Sequence, residues 1–240
     1  DDLMAKVRAF IRSADHRVRV NWDVTENPPR VGYFFAREYG SLYLENRKPS
    51  TPAHAVYRPH TVLGDAWLVS KYLNLTKVQV SVQNPDLVDP QRSDARFHPH
   101  PYTVAIALMA SPIFFQLTHL YDDHARDVIR ELLAVYREHR AAMAQGYVFP
   151  IGDKPDNGSW TGFQCHELAS GSGYLTVFRE RNQPDPERSL ALRFVAGQRL
   201  RITDLMRDDP RRVDVGEDGT VWFRIEHPAD FRFLRYEAVA

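Results

Sequence analysis

The stretch VRVNWDVTEN, residues 18–27, decides how this chain is read. Val18, Val20 and Trp22 alternate with polar residues, the period of a strand half-buried against a core, and the run then ends in Asp23, Thr25 and Glu26. The same ending returns twice. SLYLENR (41–47) finishes in Glu45, Asn46 and Arg47, and KVQVSVQNPD (77–86) finishes in Gln83, Asn84 and Asp86.

Helical periods alternate with these strands. Leu3, Val7, Phe10 and Ile11 share one face over 2–13, and a helix is expected at 61–74, carrying Val62, Trp67, Leu68 and Tyr72. VGYFFAREYG (31–40) reads as a helical or irregular connector, and YTVAIALMA (102–110) as an apolar segment. SPIFFQL (111–117) reads as another buried strand. A long helix at 122–144 presents Val128, Ile129, Leu132, Leu133 and Tyr136. Such alternation calls for a parallel sheet with helices packed outside it.

After Gly146 the pattern changes to short strands separated by Gly, Pro, Asp and Asn: YVFPIG, WTGFQCHE, GYLTVFRER, LALRFVA, RLRITDL, TVWFRIE and FRFLRYEAV. This half reads as an antiparallel β-sandwich, with GEDGT (216–220) as a hairpin turn in which Gly219 takes positive φ. The division falls at 145–150, giving units 1–146 and 147–240.

An α/β unit with polar strand ends fits part of a (β/α)8 barrel, whose strands deliver catalytic groups to one face. Asp23, Glu45 and Asn84 are then expected on a common rim. The competing reading is that each merely caps a turn or helix. Two carboxylates on one face suit glycoside hydrolysis, where one attacks or stabilises the anomeric carbon and the other protonates the leaving oxygen. Trp22, Tyr33, Tyr57 and Trp67 offer flat faces to a sugar ring, although such residues are more often core.

Thirty-one basic and 31 acidic residues balance to zero net charge, which argues against a nucleic-acid partner. DDPRRVD reads as solvated surface. Apolar runs fall short of the roughly 20 residues needed to span a bilayer. One cysteine, Cys165, rules out an internal disulfide and leaves the compartment open. HPHP (98–101) and HLYDDH (119–124) tempt a metal reading, but neither pair has a third ligand at recognisable spacing, so loop or surface roles are expected and no metal. Cys165 and His166, adjacent in a strand, should face opposite ways. ASGSGY (169–174) reads as a hairpin loop rather than a nucleophile turn.

Several longer stretches then carry a resemblance. WDVTENPPRVGYFFAREYGSLYLENR, YRPHTVLGDAWLVSKYL, VYREHRAAMAQGYVFPIGD and SWTGFQ…SGYLTVFRE resemble the C-terminal half of α-galactosidase-like retaining glycosidases, the family 36 type of the melibiase clan. The resemblance spans nearly the whole chain and implies the second half of a (β/α)8 catalytic barrel followed by an antiparallel β-sandwich. It also implies cleavage of terminal α-galactosides by double displacement, without cofactor or metal. NWDVT resembles the strand-end K-W-D motif, which makes Asp23 the nucleophile, with Asn21 where the family has lysine. LENR resembles the strand that leads into a Gly-rich turn, here replaced by KPSTPAHAVYRPH. Where the family places its acid/base aspartate in an S-D pair, this chain reads Tyr57-Arg58-Pro59-His60. Glu45 becomes the acid/base candidate and His60 the second. Trp22, Asn46, Arg47, Tyr57, Arg58 and Asn84 are the expected substrate contacts.

The expected partner is an oligo- or polysaccharide or other α-glycoside, with no membrane, and a homo-oligomer stays open. A non-catalytic carbohydrate-binding or scaffolding protein on the same fold is the alternative. The opening DDLMAKVRAF has no initiator methionine and no signal peptide, so a fragment is expected. Half a barrel would leave two sheet edges open, and the 240 residues alone are expected to be inactive or weakly stable.

Overall fold

A computed structural model describes residues 2–14, 20–23, 40–44, 56–114 and 118–239. The first part alternates as the sequence period demands. Helix α1 (Asp2–Ser13) leads to strands β1 (Asn21–Asp23) and β2 (Ser41–Leu44), helix α2 (Pro59–Val69), β3 (Val78–Val82), short helix α3 (His100–Ala105), β4 (Ser111–Phe114) and helix α4 (Asp123–Met143). The four strands form one parallel sheet in the order β1-β2-β3-β4. Asp23 registers with Tyr43, Leu44 with Val80, and Val82 with Phe114. The 31–39 connector, Tyr33 and residues 115–117 lie outside the described residues.

Helix α2 starts two residues before the expected range and ends at Val69, where the Ser70 hydroxyl turns back onto the Trp67 carbonyl at 2.7 Å. Its inner face holds Val62, Leu63, Ala66 and Trp67, while Leu68 and Tyr72 face solvent instead of the core. The apolar 102–110 run forms α3 and the turns after it, buried throughout because it packs between α4 and the second part.

The second part is antiparallel. Strands β5 (Tyr147–Gly152), β6 (Trp160–Glu167), β7 (Ser172–Arg179), β8 (Glu187–Ala191), β9 (Arg199–Asp204), β10 (Asp209–Asp214), β11 (Thr220–Arg224) and β12 (Asp230–Ala238) make two sheets. One has six strands in the order β10-β9-β12-β7-β6-β5, and the other pairs β11 with β8. DDPRRVD is solvated as expected, and it takes the form of an edge strand, β10, paired with β9 along its length. Its alternating charges keep an edge soluble. GEDGT is a turn with Gly219 at φ 79°, but it joins β10 and β11, which belong to different sheets, so it carries the chain across the sandwich. Leu192 donates its amide to the Gly219 carbonyl at 2.9 Å, tying the turn to the β8 side.

Strand alternation gives the six-stranded sheet two buried faces. Leu175, Val177, Leu234 and Tyr236 meet Leu190, Val221 and Phe223 of the small sheet in one core. Tyr174, Phe178, Phe231 and Phe233 point the other way, into a core shared with Leu42, Val80, Tyr102 and Leu132 of the parallel-sheet part. Burial thus runs continuously across the residue 146 region.

Candidate active site at the strand ends

The parallel sheet is apolar on one face and polar on the other. Val78, Val80 and Val82 of β3 enter the core with Leu42. Gln79, Ser81 and then Gln83 take the alternate positions. Asn21 donates from Nδ2 to Gln79 Oε1 at 2.7 Å, and the Tyr43 and Ser81 hydroxyls share a hydrogen bond at 3.2 Å. Gln83 is the third rung. It is 1% exposed, yet among the described residues neither its amide oxygen nor its nitrogen has a partner.

Just beyond lie the loops at the C-terminal edge. Asn84, also buried, accepts the Asp86 amide on Oδ1 at 3.0 Å and so caps the turn Pro85–Leu87. Asp86 Oδ2 meets His100 Nε2 at 3.0 Å, and the His100 ring stands edge-on to Tyr121 with centroids 5.6 Å apart. Tyr57, two residues before α2, is fully enclosed and its hydroxyl has no partner among the described residues. Burial, helped by Tyr121, holds the Tyr57 phenol far above its ordinary range. Burial and the nearby Asp86 push Tyr121 up to about 12. Both phenols are therefore hydrogen-bond donors at any ordinary pH.

Arg58 is exposed and donates Nε and Nη2 to the Arg92 carbonyl at 3.0 and 2.8 Å, bracing the loop after β3. The Ser93 hydroxyl makes a short bond to the Tyr57 carbonyl in the same brace. His60, half-buried in the first turn of α2, has its pKa lowered by burial, against the opposing pull of Asp94. Asp94 accepts from Asn157 Nδ2 at 2.8 Å and from Arg181 Nη1 at 3.2 Å, so this end of the site abuts the antiparallel part.

Asp23 ends β1, Asn84 follows β3, and Tyr57 and His60 enter α2, so one edge of the sheet receives them all. Trp22 is placed in β1 by its backbone. Glu45, Asn46 and Arg47 lie outside the described residues. For Asn84 the turn-capping alternative is what the geometry shows. Trp67, a suggested sugar platform, is core: its indole N–H donates to the Ile151 carbonyl at 3.2 Å. His98 of HPHP is buried instead of lying on the surface, held by a 3.3 Å contact between Nδ1 and the Asp94 carbonyl and by the Tyr102 ring. In HLYDDH, Asp122 caps α4 by accepting the Ala125 amide at 2.7 Å, and His119 and His124 are exposed. Among the described residues no cluster of three or more metal-ligating side chains occurs. Cys165 and His166 do diverge. The thiol points to the Met143 carbonyl, while the imidazole meets the Tyr236 hydroxyl at 2.7 Å. Gln83 and Tyr121 went unassigned in the sequence, though period two from Gln79 and Ser81 already put Gln83 on the polar face.

No protein-family profile and no curated protein sequence matches the chain. Solved structures do. The GH36 α-galactosidase AgaB from Geobacillus stearothermophilus matches with a TM-score of 0.59 and 12% identity, over 99% of this chain and 38% of that one. A variant of the GH36 α-galactosidase AgaA from the same organism, in complex with 1-deoxygalactonojirimycin, matches with a TM-score of 0.56 and 12% identity over the same shares. The galactosidase domain of the α-galactosidase-sucrose kinase AgaSK matches at 0.54 and 11%, over 74% of this chain and 25% of that one. The resemblance read from the sequence is thus also one of fold, and it takes in the parallel and antiparallel parts together. The chain spans about two fifths or less of the length of these structures.

Proposed function

We propose that the chain is part of a retaining glycoside hydrolase of the α-galactosidase type, acting on terminal α-glycosides. The observation that carries this reading is the fold match to GH36 α-galactosidases over 99% of the chain, with a parallel strand ending in Asp23 at the edge where barrel enzymes keep their chemistry. A complete barrel needs further strands beside β1 and β4, the outermost of the described strands. The groove of about 520 Å3 along β4, lined by Phe114, Tyr121, Ile129 and Leu133, is where such a unit would pack.

In this mechanism the Asp23 carboxylate attacks the anomeric carbon and forms a glycosyl ester as the glycosidic bond breaks. Glu45 protonates the departing oxygen. It then takes a proton from water, whose oxygen attacks the same carbon and returns Asp23 as a carboxylate. Asn21 stands where a lysine would hold the nucleophile ionised, and its amide is already committed to Gln79. Without that positive charge, Asp23 has less to hold it ionised. Trp22, Asn46, Arg47, Tyr57, Arg58, His60 and Asn84 are proposed to line the sugar, and His60 is the second acid/base candidate. No cofactor or metal takes part in this scheme.

One observation favours a non-catalytic sugar binder on the same fold: the segment Tyr57-Arg58-Pro59-His60 offers no carboxylate, and Arg58 is turned onto a backbone carbonyl. Calorimetry with galactose-terminated sugars beside hydrolysis of an aryl α-galactoside, both on the complete protein, separates the two. Binding with turnover supports the hydrolase, and binding without turnover supports the binder.

A further inference from the structure

The third rung of the polar row is the anomaly in the site. A primary amide can make four hydrogen bonds, two as donor and two as acceptor, and buried amides rarely leave all of them unmade. The two rungs before it are matched, Gln79 by Asn21 and Ser81 by Tyr43. Gln83 is more buried than Gln79 and as buried as Ser81, yet among the described residues it has no partner. It lies one residue past the end of β3, at the edge where Asp23 and Tyr57 also arrive. Two further buried hydroxyls of this edge, Tyr57 and Tyr121, likewise have no partner among the described residues. The position is closed to water, since Gln83 itself is 1% exposed. Folding alone would be served better by leucine or methionine there.

We propose that Gln83 is a specificity-determining residue that reads two neighbouring hydroxyls of the sugar, its Nε2 donating to one oxygen and its Oε1 accepting from the next. An amide presents a donor and an acceptor side by side, which matches a vicinal diol and discriminates against an analogue that lacks either hydroxyl. This inference rests on the carbohydrate reading of the site. It needs only binding, so it holds for the hydrolase and for the non-catalytic binder alike.

The test is a calorimetric cycle on the complete protein with its full barrel, using D-galactose and its single-deoxy analogues, for the wild type and for Gln83→Met, with Gln83→Leu as a second apolar replacement. Wild type is expected to lose about tenfold in affinity for each of two analogues missing adjacent hydroxyls. Both variants should bind galactose about tenfold or more weakly and treat those two analogues like galactose itself, because the partner has gone. Their thermal midpoints should equal or exceed that of wild type. Galactose affinity unchanged in the variants, or deoxy penalties that persist in them, would show that ordered water alone satisfies Gln83 and overturn the inference. Failure of wild type to bind galactose at all would bring down the carbohydrate reading itself, a result separable from the first.

Discussion

Glu180 has no solvent exposure, and its Oε2 accepts the Asp156 and Ser159 amides at 3.0 and 2.9 Å while Oε1 has no partner among the described residues. Burial outweighs those two donors and pushes its pKa up to about 7. An unfolded glutamate titrates near 4.3, so between those values the folded chain holds the extra proton. Stability from this group is complete at low pH and is lost as pH rises from about 4.5 to 7, by up to about 3 kcal/mol. His98, whose pKa is lowered by burial, works the other way: its contribution is present above about 6.5 and falls as pH drops below that. Glu180→Gln should remove the first dependence and leave the second, which chemical denaturation at pH 5, 6 and 7 would reveal. Thr176 is a simpler case. Its hydroxyl is fully buried without a partner in β7, so Thr176→Val should stabilise the chain by about 1 kcal/mol, read as a raised denaturation midpoint.

Elements were legible where their period was long. α4 runs Asp123–Met143 against an expected 122–144, because its apolar face repeats over five turns and Asp122 caps its start. That cap is also why HLYDDH resembled a ligand set: the aspartates serve the helix terminus. Asp122→Ala should cost about 1 kcal/mol, visible as a lower thermal midpoint. The alternating charges of β10 mark it as solvated surface, but they look the same on a loop and on an edge strand, and only pairing with β9 decides between them. The turn at Gly219 was found from local chemistry, but which strands it joins depends on distant partners. Among the candidate site residues, strand-end position was readable from period two, whereas the commitment of Arg58 to Arg92 and of Asn84 to a turn required tertiary geometry.

At the scale of the whole molecule the seam matters most. α4 hands over to β5 through Gly146, where an added Cβ would lie 2.5 Å from Cys165 Sγ and 3.1 Å from the His166 carbonyl oxygen. Gly146→Ala should destabilise by roughly 1–3 kcal/mol through overpacking. The core shared across this seam, from Leu42 and Tyr102 to Phe178 and Phe233, predicts that limited proteolysis near Gly146 releases no stable β-domain. Two independently folding halves would instead yield a resistant fragment beginning near Tyr147. The shared core also sets the antiparallel part against the site, since Asn157 and Arg181 hold Asp94 beside His60. The central claim remains chemical, and Asp23 carries it. The direct measurement is turnover of an aryl α-galactoside by Asp23→Asn beside wild type, both in the complete protein with its full barrel. The account predicts a loss of at least about a thousandfold with the fold intact by circular dichroism. Turnover equal to wild type would contradict it.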